Sequence, residues 1–118
     1  VLCIDNETAI LDGMRILLEG WGCRVSTASS LQACADVDRP DIIIADFHLD
    51  DGTGIAAIEH LRTRYGAIPA ILITADRTVD VRTEADRIDA VLLNKPVKPA
   101  ALRATLNRLS SVGKAAAE

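Results

Sequence analysis

Short runs of apolar residues alternate along the 118-residue chain with longer segments in which apolar residues recur every three or four positions. The short runs predict strands, and the longer segments predict amphipathic helices. The predicted strands cover residues 1–4, 23–28, 42–46, 70–74 and 90–93. The predicted helices cover residues 8–20, a short stretch from Ser29 or Ser30, the segment between Thr53 and Gly66, a marginal stretch within 76–89, and the chain from about Pro99 onward.

Strand and helix alternate five times, which predicts a parallel sheet covered by helices on both faces. The second strand is more polar than the others, so we expect it near an edge. The last helix carries Leu102, Leu106, Leu109 and Val112 at helical spacing. We therefore predict a single domain over residues 1–112 and a tail or linker over residues 113–118.

Composition and charge narrow the class of protein. Apolar residues make up 49% of the chain and charged residues 25%, as in ordinary globular domains. The net charge of −4 disfavours direct contact with nucleic acid, and no apolar run is long enough to cross a membrane. Three cysteines without pairing or metal-ligand spacing predict reduced thiols and a cytoplasmic protein. Because Val1 lies inside an apolar run, we expect a longer parent protein.

A carboxylate ends the most apolar strand. Ile42, Ile43 and Ile44 predict a strand buried on both faces, and Asp46 follows at its end. An aspartate in this place is either a turn-former or a group placed for chemistry, because ligands of parallel sheets bind beyond the carboxyl ends of the strands.

Polar residues also follow the other strands. Asp5 and Asn6 follow the first strand, Thr74 ends the fourth, and Lys95 follows the fifth. Oxygen ligands suit Mg²⁺, which takes one or two protein carboxylates. Lysine and threonine donate to phosphoryl oxygens, and a carboxylate can act as a nucleophile that forms an acyl phosphate. These residues therefore predict phosphoryl transfer onto Asp46.

The motifs occur in the order found in a known family. They are Asp5-Asn6-Glu7, Asp46 with Asp51-Gly52, Thr74-Ala75 and Lys95-Pro96. With these motifs, the whole chain resembles a receiver domain of the two-component response-regulator family. The resemblance implies a flavodoxin-like fold, a three-layer (βα)5 sandwich whose parallel five-stranded sheet has the order 2-1-3-4-5. In this family the bond corresponding to Lys95–Pro96 is typically cis.

The resemblance also implies a role for each site residue. Asp46 would accept phosphate from the phosphohistidine of a histidine kinase or a histidine phosphotransfer domain, in a reaction that requires Mg²⁺. Asp5 would hold the metal partly through water, and His48 would offer its backbone carbonyl. Thr74 would bind a phosphoryl oxygen, and Lys95 would pair first with Asp46 and then with the phosphate.

Two positions depart from the family pattern. Family members usually have a second acid where this chain has Asn6, so we expect Asn6 to ligate Mg²⁺ through its amide oxygen and to bind it more weakly. The family often has an aromatic switch residue where this chain has Leu92, so any signal from Thr74 must travel another way. Asn6 and Glu7 are also typical of a helix N-terminus.

Other functions stay open at this stage. A degenerate receiver would act only as a protein-interaction module, and a small Mg²⁺-dependent phosphohydrolase would turn over an aspartyl phosphate. The run from Leu93 to Pro99, together with Asp5-Asn6-Glu7, most resembles the C-terminal receiver of hybrid sensor histidine kinases, which would make other domains of the parent chain its partners. No glycine-rich nucleotide-binding motif is present, and His48 and His60 lack the spacing of a metal pair.

Overall fold

A computed structural model describes the backbone of residues 1–117 and the side chains of residues 1–110. The chain forms seven strands, four α-helices and one 3₁₀ helix within that range. In chain order they are β1 (Leu2–Ile4), α1 (Thr8–Gly20), β2 (Ser26–Ala28), the 3₁₀ helix (Gln32–Asp36), β3 (Ile43–Asp46), β4 (His48–Leu49), β5 (Gly52–Thr53), α2 (Gly54–Tyr65), β6 (Ala70–Thr74), α3 (Val79–Arg87), β7 (Val91–Asn94) and α4 (Pro99–Ala117).

Five of the strands form one parallel sheet in the order β2-β1-β3-β6-β7. Numbered as the predicted strands, this is the order 2-1-3-4-5, so the predicted fold is confirmed. The more polar β2 lies at an edge, as expected. The two remaining strands, β4 and β5, form a small antiparallel hairpin after β3. The turn-forming residues 50–54 predict a loop in this segment, whereas the structure pairs Gly52–Thr53 with His48–Leu49.

The two faces of the sheet carry separate apolar cores, because successive side chains of a strand point to opposite faces. Cys3, Ile44, Ile71 and Ile73 pack on the face covered by α1 and α4. Their chain neighbours pack on the face covered by α2, α3 and the 3₁₀ helix; they are Leu2, Ile4, Ile43, Ala45, Ala70 and Leu72. These faces are called below the α1/α4 face and the α2/α3 face.

Local signals account for several of the helix ends. Thr53 caps α2 by accepting a hydrogen bond from the backbone N–H of Ala56, and Thr78 caps the marginal helix α3 in the same way. Gly66, at φ +90, follows the end of α2. The second predicted helix is only a short 3₁₀ helix. Cys34 is buried there as expected, but Ala35 is exposed rather than turned inward.

The last helix begins at Pro99 as predicted, and Leu102 and Leu106 lie in the core of the α1/α4 face. The side chain of Val112 lies outside the described residues, as does residue 118. The boundary between domain and tail at residue 112 stays a prediction. Among the described helices, none combines the length and the apolar character needed to cross a membrane.

Candidate functional site

Two carboxylates lie side by side at the carboxyl edge of the sheet. The parallel register pairs Cys3 with Ile44 and Ile4 with Ala45, so Asp5 and Asp46 are the next residues on adjacent strands. By strand alternation both side chains fall on the α1/α4 face. Asp5 is 6% exposed and Asp46 is 8% exposed. Buried carboxylates need a counter-charge or hydrogen bonds, so their surroundings decide what they can do.

Lys95 supplies one counter-charge. Its ammonium Nζ lies 3.0 Å from Oδ1 of Asp46, and the lysine side chain is about one-third exposed. The loop that carries the lysine is fixed to the neighbouring strand, because the backbone N–H of Lys95 donates to the carbonyl of Thr74 at 2.8 Å. The Lys95–Pro96 bond is cis, as the resemblance implied. Lys95 therefore neutralises one of the two carboxylates while remaining accessible from solvent.

Asp5 has a different environment. Burial raises the pKa of its carboxyl, and the nearby charge of Asp46 raises that pKa further. The backbone N–H of Glu7 donates to Oδ1 of Asp5 at 2.9 Å and acts in the opposite direction. Glu7 occupies the N-cap position of α1 but makes no side-chain capping hydrogen bond. Two acids thus share this edge with a single lysine, and binding of a cation would offset the cost of placing a second carboxylate charge there.

The donor atoms at this edge suit Mg²⁺. Asp5 and Asp46 offer carboxylate oxygens, and half-buried Asn6 follows Asp5 directly. His48 lies in β4, whose pairing with β5 holds the backbone of the loop beyond Asp46. No cluster of three or more histidine, cysteine, aspartate or glutamate side chains that could hold a metal occurs among the described residues. Two acids, with Asn6 and His48 near them in the chain, fit a hard cation that takes one or two carboxylates and keeps several waters.

Thr74 lies at the same edge but on the other face. Thr74 continues the alternation of β6, so its side chain falls on the α2/α3 face with Ala70 and Leu72. It is fully buried, and its hydroxyl oxygen accepts a hydrogen bond of 2.9 Å from the backbone N–H of Asp76. Leu92, the register partner of Leu72, packs on the same face. The structure thus brings Asp5, Asp46 and Lys95 together and holds Thr74 just behind them.

Gly54 is a site residue that the sequence analysis missed. It begins α2 directly beneath the end of β3, and its backbone N–H donates to the carbonyl of Phe47. A Cβ added at Gly54 would overlap the backbone carbonyl oxygen of Asp46 and lie 2.9 Å from Cδ1 of Leu72. Only glycine allows this approach. A glycine three residues after a turn is a weak signal in sequence, and only the fold reveals what it touches.

Asp51 connects the segment after β3 to the 3₁₀ helix. Its carboxylate accepts hydrogen bonds from the backbone N–H groups of Leu31 and Gln32, at 2.8 and 3.0 Å. These two bonds lower the pKa of Asp51. The loop that carries His48 is therefore tied to the start of the 3₁₀ helix, 19 or 20 residues earlier in the chain.

Comparisons with known proteins agree with this geometry. A sequence profile described as "Response regulator receiver domain" matches residues 1–107. The KDP operon transcriptional regulatory protein KdpE of Escherichia coli (strain K12) is 37% identical over 115 residues, which cover 90% of this chain and 48% of that protein. The transcriptional regulatory protein ZraR of Klebsiella oxytoca is 31% identical over 111 residues, covering 91% of this chain and 25% of that protein. The chain therefore spans half or less of the length of these curated relatives.

A solved structure also matches closely. The Vibrio cholerae chemotaxis protein CheY4 has a TM-score of 0.83 and 27% sequence identity, with 92% of this chain and 95% of that chain covered. The similarity therefore extends over nearly the whole of both chains.

Proposed function

The chain belongs to the response regulator receiver family, whose members are phosphorylation-controlled switches of two-component signalling, and we propose that Asp46 is the residue that receives the phosphoryl group here. One observation carries the assignment. Asp46 is the buried carboxylate at the end of β3 whose Oδ1 lies 3.0 Å from the accessible ammonium of Lys95. This arrangement suits phosphoryl transfer, because it places a nucleophile at the carboxyl edge of a parallel sheet. The neighbouring ammonium group can stay with the phosphoryl group as it is transferred.

In the proposed reaction a carboxylate oxygen of Asp46 attacks the phosphorus of a phosphohistidine. The new P–O bond forms as the P–N bond breaks, and the imidazole leaves. Lys95 stays close to the reacting oxygens and moves from the carboxylate to the phosphoryl group. Receiver domains generally bind Mg²⁺ for this reaction; here Asp5, Asn6, Asp46 and the carbonyl of His48 would hold the ion, which supplies positive charge to the phosphoryl oxygens.

The output of the switch begins at Thr74. A phosphoryl group adds about −1.5 to −2 charges at this edge. The Thr74 oxygen accepts from Asp76, but a hydroxyl also has one hydrogen to donate, and we propose that it turns to a phosphoryl oxygen. Such a rotation would disturb the loop that leads into α3. Because Leu92 replaces the usual aromatic residue, the face formed by α3, β7 and α4 would respond through this loop.

The partners follow from the same chemistry. Receivers in general interact with histidine kinases or histidine phosphotransfer proteins, and we propose one of these as the phosphodonor for this chain. A cytoplasmic location fits free cysteines, of which Cys3 and Cys34 are buried with the pKa of each thiol raised by burial to about 11. The hybrid-kinase parent stays a prediction. The reported curated relatives are transcriptional regulators, and sequencing the flanking coding region distinguishes a kinase core from a DNA-binding domain.

Acetyl phosphate labelling tests the function. With acetyl phosphate and Mg²⁺, we expect the native protein to gain one phosphoryl group by intact-protein mass spectrometry and to lose it slowly. Asp46→Asn is expected to fold normally and to gain none, whereas the control Asp50→Asn, an exposed acid in the adjacent loop, is labelled like the native protein. Equal labelling of Asp46→Asn would place the reactive group elsewhere. Rapid multiple turnover would favour a phosphohydrolase, and absence of any adduct would favour an interaction module.

A further inference from the structure

A cavity of about 490 Å³ opens beside the three charged groups of the site. Asp5, Asp46 and Lys95 form its polar end. The remaining walls are apolar: Ile10 and Met14 of α1 form one side, Pro96 and Val97 of the loop after Lys95 form the other, and Ile44 and Ile73 of the sheet form part of the floor. Ligand pockets typically have volumes of about 300–1,000 Å³, mostly apolar walls and a few convergent polar groups.

The lining explains why the cavity stays open. The chain has only one phenylalanine, one tryptophan and one tyrosine, and none of them lines this space. Val97 of the loop after Lys95 lines the cavity, and its side chain is short. The charged groups alone carry out phosphoryl transfer, and the apolar walls take no part in that step. The cavity is therefore available to the part of a donor molecule that does not react.

We propose that this cavity selects small phosphodonors by their acyl chain, and that a straight-chain acyl phosphate of about six carbons phosphorylates this protein faster than acetyl phosphate. The inference rests on the proposed role of Asp46. The phosphoryl group of such a donor meets Asp46 and Lys95 at the polar end, and the far end of its alkyl chain turns back against Ile10, Met14 and Val97. An anionic head next to a flexible apolar body matches the division of the cavity into one charged end and apolar walls.

The chemical step is the same for every donor in the series. An oxygen of Asp46 attacks phosphorus, the P–O bond to the acyl oxygen breaks, and a carboxylate leaves with the bonding electron pair. In-line attack places that leaving oxygen on the side of phosphorus away from Asp46. The first carbons of the chain therefore lie outside the cavity, and only a longer, flexible chain can turn back onto its walls. Burial of each further methylene then accelerates labelling by up to about fourfold.

The experiment compares acetyl, butyryl and hexanoyl phosphate with the native protein and Mg²⁺. Straight-chain acids of this series leave with nearly equal ease, so their intrinsic reactivity is matched; hydrolysis without protein checks this. We expect the second-order labelling rate for hexanoyl phosphate to exceed that for acetyl phosphate by about tenfold or more. Ile10→Ala removes apolar surface at the cavity rim and is expected to reduce this ratio severalfold.

Two further variants make the test specific. Val97→Phe fills the cavity and is expected to abolish the chain-length preference, while Ile16→Ala, at a residue of α1 that is 76% exposed and outside the cavity, leaves it intact. Should Val97→Phe not fold, Ile10→Ala and Ile16→Ala still decide the question. Equal rates for all donors, or a preference that survives in Ile10→Ala, would overturn the inference while leaving Asp46 as acceptor. Failure of every donor to label the native protein would instead overturn the proposed function.

Discussion

The two faces of the sheet differ most at its carboxyl edge. On the α1/α4 face, Asp5, Asp46 and Lys95 gather at the mouth of an open apolar cavity. On the α2/α3 face, Thr74 is fully buried and Gly54 brings the start of α2 against the backbone of Asp46. The first face leaves the carboxylate of Asp46, the proposed nucleophile, beside an open cavity. The second connects the backbone of Asp46 to the rest of the domain by close packing.

Hydrogen bonds from α2 strengthen the packing on the α2/α3 face. Arg62 donates to the backbone carbonyls of Ile68, Ile88 and Asp89 and so joins the end of α2 to the end of α3. Tyr65 donates to the carbonyl of Val37 at 2.5 Å and joins α2 to the segment after the 3₁₀ helix. These bonds make α2 a rigid support behind β3. We therefore expect substitutions on the α2/α3 face to change stability and those on the α1/α4 face to change ligand binding.

The largest effect is expected from Gly54→Ala. Its methyl group would overlap the carbonyl of Asp46, so α2 or β3 must shift, and we expect a loss of about 1–3 kcal/mol in the free energy of unfolding. Urea denaturation measures this loss. The control is Gly13→Ala in the middle of α1, where an added Cβ meets nothing within 4 Å. Because alanine favours helix, this control is expected to gain about 0.5–1 kcal/mol. Similar changes for both variants would mean that the two faces do not differ in packing.

The next largest effect is expected from a charge change on the α1/α4 face. Asn6→Asp adds a third acid beside Asp5 and Asp46, and we expect it to tighten Mg²⁺ binding roughly tenfold without a comparable loss of stability. Isothermal titration of Mg²⁺ compares it with the native protein and with Asn107→Asp, a matched change at an exposed position of α4. Equal affinities for the native protein and Asn6→Asp would rule out Asn6 as a contributor to the metal site.

The smallest effect is expected from Asp51→Asn, and it depends on pH. Hydrogen bonds from Leu31 and Gln32 lower the pKa of Asp51 in the folded chain below the ordinary 3.8. The folded state therefore favours the carboxylate, which stabilises the fold above pH 3.8 and loses this contribution as the pH falls through the folded pKa. Asp51→Asn is expected to melt below the native protein at pH 7 and to approach it in acid. Exposed Asp50→Asn is the control, and a pH-independent difference would contradict this explanation.

The regular elements were predictable because their signals are local. Residues 70–73 form a continuous apolar run after Pro69, and β6 spans Ala70–Thr74. Helix α1 begins and ends where its periodicity does. The hairpin of β4 and β5 escaped prediction because two-residue strands have no periodicity to detect. Charged residues made α3 marginal in sequence, yet Val81 and Ala85 are buried against the sheet and Thr78 caps it. Packing outweighed the weak local preference.

The sequence by itself determined the strand–helix order and the residue types that end the strands, since hydrophobic periodicity and Asp5, Asp46, Thr74 and Lys95 can be read from the chain. Only the tertiary structure decided which of them meet. Register and strand alternation place Asp5 and Asp46 on one face and Thr74 on the other, and the loop after β7 brings Lys95 to Asp46. Gly54, Asp51 and the apolar cavity owe their roles to contacts between segments distant in sequence, which no local pattern encodes.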